Sequence, residues 1–471
     1  MSELTYLSAA AMAKHVRQGR LSPVELIEAH LARIERLQLQ LNAFVHVDAD
    51  GARQQARDAE EAVGSGRELG LLHGVPISIK SAIAVRGMPW ECGTRLRTGV
   101  IAEIDAPLVA RLKDAGAIIL GVTNCAELLM AWETDNVLYG RTNNPWDFSR
   151  TAGGSSGGEA AAIASGCSAA GVGSDGGGSI RVPAHFSGIC GLKPTPGRIP
   201  STGHFPASVG PFALIGVVGP MARTVADLKL LFEIMQGPDD GDTSSAPLPV
   251  GWPRADDLRR LRIGYFEDDG RTPVTAETRA AVQAAVEALC RAGFQVEPFR
   301  PEGLDLAREL WWQFFGIAGG MLLDLMIKGR KHQLSPVLKT YLSGIASQHA
   351  HTGQSLLDAW VQRDEVRLKI FAQMRDFPVL LCPVAAIPAF RHGERTWEID
   401  GKKIDYLDAW SYCAWFNLLG MPAAVVPMTR SAQGLPIGVQ IATLPWQEET
   451  ALAVAAELEN QRGDWLRPPI V

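Results

Sequence analysis

The stretch "GSDGGGSIR", residues 173–181, places Ser179 directly behind three consecutive glycines. A glycine run supplies no packing side chains and increases the conformational entropy that is lost on folding. It also leaves backbone N–H groups open to whatever lies beside the serine. Such a stretch is typical of a tight turn, a phosphate-binding loop or an oxyanion hole.

Two loops rich in glycine and serine flank an alanine-rich segment between residues 153 and 179. The alanine-rich centre predicts a helix, because alanine has the highest helix propensity. We therefore interpret the region as loop, helix and loop rather than as a flexible linker. Ser155 and Ser156 lie in the first loop and Ser179 in the second.

No nucleotide cofactor is predicted, although "GVGSDG", residues 171–176, matches the dinucleotide-binding pattern G-x-G-x-x-G. That pattern requires a helix directly after it and an acidic residue about 20 positions further on. Here more glycines follow, Pro183 disfavours a regular helix start, and the next segment, "GLKPTPGR", is basic. The phosphate-binding pattern G-x-x-x-x-G-K-[ST] is absent as well.

A conventional Ser-His-Asp triad is not indicated for Ser179. The pattern G-x-S-x-G is absent, and we expect His185, the closest histidine in sequence, to be structural. A serine nucleophile without a histidine needs another base, and lysine is the usual substitute. The pKa of that lysine must fall by roughly 3 units from about 10.4, which requires burial among uncharged groups. Lys80 is the best candidate, because it ends the apolar, strand-like segment "GVPISIK".

The composition predicts a globular protein: of 471 residues, 46% are hydrophobic and 20% charged, and the formal net charge is −6. This charge gives no electrostatic reason to expect a nucleic-acid partner. The seven cysteines contain no C-x-x-C pair, and the His349 and His351 pair has no cysteine or carboxylate at ligand spacing. We therefore expect reduced thiols and no metal site.

We expect a cytoplasmic protein, because the first twenty residues contain no apolar core of signal-peptide length. No run of about 18 uninterrupted apolar residues exists, so no membrane span is predicted. The nearest approach is residues 310–327, interrupted by Gln313 and Asp324. We interpret it as a buried helix, with a membrane-touching or substrate-channel surface as the alternative.

Strand and helix patterns alternate along most of the chain, which favours an α/β fold with a sheet wrapped by helices. Ser22 begins a capping box that opens the first clear helix. The most loop-like segment is 238–253, which we interpret as an excursion within one domain spanning residues 1–471. The parts of this domain are N-terminal helices (about 1–70), a core (about 71–235) and a C-terminal part (about 254–471).

Three segments together resemble the amidase signature family: "GVPISIK" around Lys80, "GGSSGGEAAA" around Ser155 and "GSDGGGSIRVPAHFSGICGLKPTPGR" around Ser179. The resemblance extends over roughly residues 22–459. It implies a single large domain whose central mixed β-sheet is covered by helices on both faces.

The resemblance also implies a Ser-Ser-Lys triad. Ser179 would attack the substrate carbonyl, Ser155, held by a cis peptide, would relay the proton, and neutral Lys80 would be the base. No metal or organic cofactor would be needed. Two departures from the family pattern leave this triad intact: Ser81 stands where many members have an aspartate, and Gly176 where others have a larger residue.

Other site residues follow from the same reading. The backbone N–H groups of the glycine run would form the oxyanion hole, and Asp175 and Arg181 would brace the loop. The apolar part of the substrate is expected to lie against a pocket built from segments 125–132 and 311–326. The predicted oxyanion-hole residues are Gly176, Gly177 and Gly178, and the predicted substrate contacts are Cys125, Leu129, Met130 and Ser156.

The function that this resemblance implies is hydrolysis of hydrophobic amides through an acyl-enzyme, with aryl or alkyl carbamates and esters as further substrates. The segment "GVTNCAELLMAWETDNVLYGRTNNPWD" looks closer to fatty-acid amide hydrolase-like members than to the alternative. That alternative is the glutaminase subunit of a tRNA-dependent amidotransferase. The expected partner is a small-molecule amide or carbamate, and a homodimer is a further expectation. A non-enzymatic scaffold would require an unreactive triad.

Overall fold

The computed structural model describes residues 3–66, 68–346 and 352–470, so the His349 and His351 pair lies outside the described residues. The helices are α1 Ala9–Arg17, α2 Pro23–Leu41, α3 Ala49–Gly64, α4 Pro107–Asp114, α5 Gly157–Ala164, α6 Arg181–Ser187, α7 Pro211–Ile215, α8 Val225–Met235, α9 Ala255–Arg259, α10 Ala276–Arg291, α11 Leu304–Trp311, α12 Gly319–Ile327, α13 Pro336–Ala346, α14 Gly353–Gln373, α15 Ser411–Leu418 and α16 Glu448–Arg462. The strands are β1 Phe44–Val47, β2 Pro76–Lys80, β3 Ile118–Thr123, β4 Asp135–Asn136, β5 Gly140–Arg141, β6 Asn143–Asn144, β7 Asp147–Thr151, β8 Ala170–Asp175, β9 Cys190–Lys193, β10 Val217–Ala222, β11 Arg262–Tyr265, β12 Gln295–Pro298, β13 Val379–Pro383, β14 Thr396–Ile399, β15 Lys402–Asp405, β16 Ala423–Arg430 and β17 Pro436–Thr443.

An eleven-stranded sheet forms the centre of the fold, in the order β1-β3-β2-β8-β10-β9-β16-β17-β13-β11-β12. It is mixed, since β2 runs parallel to β3 and β8 whereas β10 is antiparallel to β8 and β9. Strands from both sides of residues 238–253, where no helix or strand is described, belong to this one sheet. The predicted α/β class with one central mixed sheet is confirmed.

The alternation of side chains along β2 determines what each face of the sheet carries, because successive side chains point to opposite faces. Ile77 and Ile79 join the apolar core formed with α4, α8, α10 and α16. Ser78 and Lys80 therefore face the opposite side. That side is covered by α5, which packs on β2 and β8. One face of this strand thus contributes to the core and the other presents polar groups beneath α5.

Local sequence signals predicted the start of α2 correctly. Ser22 caps α2, since its Oγ accepts hydrogen bonds from the backbone N–H groups of Val24 and Glu25. The prediction that Pro183 disfavours a helix was wrong, because α6 begins at Arg181. Pro183 lies in the first turn of this helix, where the missing N–H would have no partner within the helix.

The apolar segment predicted as one buried helix is helical from Leu304 to Ile327. A π-helix, Trp312–Ala318, joins α11 to α12. Within the described residues, this is the one helix long and apolar enough to cross a membrane by length and composition, and 56% of its most apolar window is buried. Burial of more than half of that window is consistent with a helix that packs against the protein core.

Candidate active site

Lys80 lies at the carboxyl end of β2 and is fully buried. Its Nζ lies 2.7 Å from Oγ of Ser155, 2.8 Å from Oγ of Ser156 and 3.0 Å from Oγ of Ser174. These three hydroxyls are uncharged, and among the described residues no carboxylate forms an ion pair with Lys80. The side-chain hydrogen-bond partners of the lysine are thus uncharged hydroxyls, as a neutral base requires.

Burial lowers the pKa of Lys80 to about 8, while the thiols of Cys125 and Cys92 and the carboxylates of Asp175 and Glu159 act in the opposite direction. Desolvation disfavours the ammonium form, because a charged group loses its hydration when it is buried. A lysine with this pKa is neutral in a substantial fraction of molecules near pH 8. It can therefore accept a proton at a pH at which an exposed lysine cannot.

Ser155 follows a cis peptide bond, Gly154–Ser155, as the resemblance implied. Its carbonyl accepts hydrogen bonds from the N–H of Ala126 and the hydroxyl of Thr134. The N–H of Ser156 donates to the carbonyl of Ser179 at 3.2 Å, so the two serine loops are joined directly. The structure therefore brings the serine predicted as relay and the lysine predicted as base into hydrogen-bond contact, beside the loop of Ser179.

Two tryptophans hold the glycine run in place. The indole N–H of Trp311 donates to the carbonyl of Gly176 at 2.8 Å, and that of Trp132 donates to the carbonyl of Gly177 at 2.9 Å. In a trans peptide the C=O and the following N–H point in opposite directions. Since the two indoles bind the carbonyls of Gly176 and Gly177, the N–H groups that follow, those of Gly177 and Gly178, point away from the tryptophans.

The absence of side chains at residues 176–178 has a structural explanation. A Cβ at Gly177 would lie 2.4 Å from the ring of Trp311, and one at Gly176 would lie 2.9 Å from the ring of Phe315. The backbone of Gly178 has φ +118°, a conformation that residues with side chains rarely adopt. The steric constraint is therefore strongest at Gly177 and Gly178, whereas a side chain at Gly176 would require the ring of Phe315 to move.

Asp175 braces the loop from within the protein. Its carboxylate accepts hydrogen bonds from the N–H groups of Gly178 and Ile180 and pairs with Arg181 at 3.0 Å, all fully buried. Burial alone would raise the pKa of Asp175, but Arg181 and these hydrogen bonds hold it well below its usual range. The N–H of Gly178 donates to Asp175 at 2.7 Å, so the prediction that Gly178 is an oxyanion donor is corrected.

We expect Asp175→Asn to destabilise the fold strongly. The change leaves the guanidinium of Arg181 buried without its counter-charge, and loss of one partner from a buried pair costs about 3–5 kcal/mol. Urea unfolding should therefore give a free energy of unfolding lower by that amount. The matched control is Asp257→Asn, which removes an exposed pair with Arg254. Equal stabilities of the two variants would contradict the bracing role.

His185 is a structural histidine, as predicted. It is fully buried, its Nδ1 accepts a hydrogen bond from the N–H of Gly438, and its Nε2–H donates to the carbonyl of Ile387. Burial lowers its pKa to about 4, so the ring is neutral near pH 7. Both ring nitrogens are engaged by backbone groups, so neither is free to accept a proton from Ser179.

A cleft opens beside Ser179, a residue that is 8% exposed. Its walls are mainly apolar, and its polar lining residues are Ser155, Ser174, Asp175, Ser179, His204 and Ser208. Among the wall residues are Leu128, Leu129, Met130, Pro206, Phe212, Val217 and Phe315. Mainly apolar walls with a few polar groups are typical of a pocket for a small organic molecule.

Two of the four predicted substrate contacts, Leu129 and Met130, line this cleft, and two do not. Cys125 is fully buried behind the wall with Cys92 and Ala82. Ser156 is also fully buried, because its hydroxyl is turned toward Lys80. These two predictions are corrected: the side chains lie behind the cleft rather than in its surface.

Sequence reasoning missed several residues of the cleft and of its support. His204 comes from a loop and Phe212 from the short helix α7, and neither segment carries a catalytic motif. Of the predicted segment 311–326, Phe315 reaches the cleft, whereas Trp311 and Trp312 line a separate cavity behind the glycine loop. The aromatic density of the segment was the available signal, but the direction in which each ring points depends on the π-helix.

The family model described as Amidase matches residues 25–452. The chain is 34% identical over 466 residues to indoleacetamide hydrolase of Bradyrhizobium diazoefficiens, covering 97% of this chain and 86% of that protein. It is 36% identical over 496 residues to a glutamyl-tRNA(Gln) amidotransferase subunit of Chloroflexus aggregans, covering 99% and 98%. A solved structure of fatty acid amide hydrolase superposes with a TM-score of 0.88 at 27% identity, covering 98% of this chain and 86% of that one.

These matches extend over nearly the whole chain, and they agree with the mixed sheet, the cis peptide bond before Ser155 and the buried lysine beside it. The chain therefore belongs to the amidase signature family and is an amidase, a hydrolase of carbon–nitrogen bonds.

Proposed function

We propose that this amidase hydrolyses small hydrophobic amides through Ser179, Ser155 and Lys80. Ser179 Oγ attacks the amide carbonyl and gives its proton to Ser155, whose own proton passes to neutral Lys80. The proton then returns through Ser155 to the leaving nitrogen, which departs as an amine or ammonia. Water repeats the sequence on the acyl-enzyme and releases the acid. Support comes from the 2.7 Å contact between Lys80 Nζ and Ser155 Oγ.

The negative charge that develops on the carbonyl oxygen would be met by backbone N–H groups of the glycine loop. Gly176, Gly177 and Ser179 are the donors that remain once Gly178 is bound to Asp175. Trp132 and Trp311 fix the loop before the substrate arrives, so the donors need no rearrangement during the reaction. Donors of this kind typically contribute about 3–4 kcal/mol each to the transition state.

The apolar wall of the cleft is the observation that favours a hydrophobic acyl group. Phe212 and Phe315 pack edge to face at 5.9 Å and form one side of it. The indoleacetamide hydrolase relative is named for an aromatic amide, which fits walls of this kind. We extend the proposal to aryl and alkyl carbamates and esters, because they offer the same carbonyl to Ser179.

An acyl-chain series tests this substrate class. With p-nitroanilides from acetyl to octanoyl, kcat/KM should rise by up to about fourfold per methylene until the cleft is filled, since each buried methylene contributes about 0.8 kcal/mol. Phe212→Ala should flatten the slope, and Leu39→Ala, at a side chain 96% exposed, should leave it unchanged. A flat profile for the unchanged protein would contradict a hydrophobic acyl site.

The second candidate function is that of a glutaminase subunit. The identity of 36% to the amidotransferase protein of Chloroflexus aggregans, over nearly the full length of both chains, is the observation that favours it. That function would give a preference for glutamine over hydrophobic amides and activity that depends on a partner protein. Glutamine is therefore included in the same series, and a strong preference for it would replace the first proposal.

A further inference from the structure

Glu159 is a buried carboxyl group for which the proposed mechanism has no role. It lies in the first turn of α5, is fully buried, and reaches the polar face of the sheet beneath that helix. Its Oε1 accepts a hydrogen bond from Ser78 at 2.5 Å, and its Oε2 accepts one from Thr123 at 2.7 Å. Two hydroxyl donors to two carboxyl oxygens are the arrangement that an ionised carboxylate prefers.

The neighbouring strand β8 leaves space for the carboxylate of Glu159. A Cβ at Gly171 would lie 1.8 Å from Oε1 of Glu159, so the strand opposite has no side chain at that point. The N-terminus of α5 adds partial positive charge, which also favours an anion in the first turn of a helix. Glu159 is thus held in one position by both strands and by its own helix.

The same elements hold the lysine of the candidate site. Ser78 lies two residues before Lys80 in β2, so both side chains point to the same face. Thr123 is the residue paired with Lys80 between β2 and β3. Ser156, which contacts Lys80, is the N-cap of the helix that carries Glu159. Both hydrogen-bond partners of Glu159 are therefore immediate neighbours of Lys80.

Other titratable groups also act on Lys80. Asp175 is one, but Arg181 neutralises its charge. The thiols of Cys92 and Cys125 are two more: burial raises the pKa of Cys92 well above its usual value, whereas a hydrogen bond from Cys92 lowers that of Cys125.

His204 also interacts electrostatically with Lys80. Burial lowers the pKa of His204 to about 4, so its ring is neutral near pH 8. Burial raises the pKa of Glu159 to about 7, which leaves it ionised at pH 8. Among the described carboxylates that act on Lys80, Glu159 is the one without an ion-pair partner.

We propose that Glu159 is a positioning residue that sets the basicity of Lys80. Its carboxylate stabilises the ammonium that forms when Lys80 takes the proton of Ser179 through Ser155, and it partly offsets the effect of burial on the lysine. This inference rests on the proposed function, because it assumes that Lys80 is the base. Glu159 itself takes no proton in the step, which leaves every bond change with Ser179, Ser155 and Lys80.

The test measures the rate at which a fluorophosphonate labels the intact chain as a function of pH, which needs no knowledge of the natural substrate. Labelling should fall as the pH drops through the pKa of Lys80, since only neutral lysine can take the proton. In Glu159→Gln, loss of the opposite charge lowers that pKa. The acidic limb of the pH profile, where labelling falls as the pH drops, should therefore move measurably to lower pH. The matched control is Glu448→Gln, a fully buried glutamate on α16 that binds the N–H of Thr195.

Three further variants separate the outcomes. Ser78→Ala removes one donor but keeps the carboxylate, and it should shift the limb in the same direction by less, even if Glu159→Gln does not fold. An unmoved limb in both variants would overturn the inference. If the acidic limb of the pH profile shifts in Cys125→Ser but not in Glu159→Gln, the thiol of Cys125 rather than Glu159 controls the basicity of Lys80. That result would also overturn the inference. If Lys80→Ala still labels at the rate of the unchanged protein, the proposed function itself fails.

Discussion

Ser179→Ala should lower kcat for amide hydrolysis by at least about 10⁴-fold, because removal of the nucleophile from a serine hydrolase costs roughly 10⁶-fold. The hydroxyl that attacks the carbonyl is gone, and Ser155 and Ser174 are two of the other serines in the cleft. Both of these contact Lys80 within the buried network. Residual activity would come from binding and the oxyanion donors alone.

The control for this variant is Ser165→Ala, at a fully buried serine whose hydroxyl donates to a carbonyl of α5. It should keep the activity of the unchanged protein if it folds. Thermal unfolding of both variants separates loss of chemistry from loss of structure. A folded Ser179→Ala variant with activity within tenfold of the unchanged protein would exclude Ser179 as the nucleophile.

Lys80→Ala should lower turnover by about 10²- to 10⁴-fold, the usual contribution of a general base. In the unchanged protein, activity should fall as the pH drops through about 8, because burial lowers the pKa of Lys80 to that value and protonation removes the base. The alanine variant should lose this acidic limb together with its activity. The measurement is the pH dependence of kcat/KM for an anilide.

Lys193 provides the comparison for this second prediction. It is also fully buried, burial lowers its pKa to about 7, and its Nζ donates to the carbonyl of Pro194 rather than to a serine. Lys193→Met should therefore keep the acidic limb that reports Lys80. If the limb disappears in Lys193→Met and persists in Lys80→Ala, the assignment of the base is wrong.

The parts of the site that could be predicted depend on local sequence. Lys80 was found because an alternating apolar pattern ends at it, and the strand it predicts is β2. The loop, helix and loop around Ser155 and Ser179 followed from glycine, serine and alanine content within 27 residues. Each of these signals is contained in one short segment, so no knowledge of the tertiary structure was needed.

The parts that could not be predicted depend on contacts between distant segments. Trp311 donates a hydrogen bond to the carbonyl of Gly176, which lies 135 residues earlier in the sequence. The local sequence of neither segment predicts this contact. The sequence of the glycine run predicts exposed N–H groups, whereas only the structure shows that the ring of Trp311 packs against Gly177. Cys125 was misplaced for the same reason, since only the fold turns it toward Cys92 instead of the cleft.

The most direct test of the central claim is to identify the residue that reacts with a serine-directed fluorophosphonate. After labelling of the intact chain, proteolysis and tandem mass spectrometry would locate the adduct within residues 150–198, which contain Ser155, Ser156, Ser174 and Ser179. The proposed mechanism predicts a single adduct on Ser179 Oγ, formed faster as the pH rises through about 8. An adduct on Ser155, or no adduct on a folded protein, would contradict it.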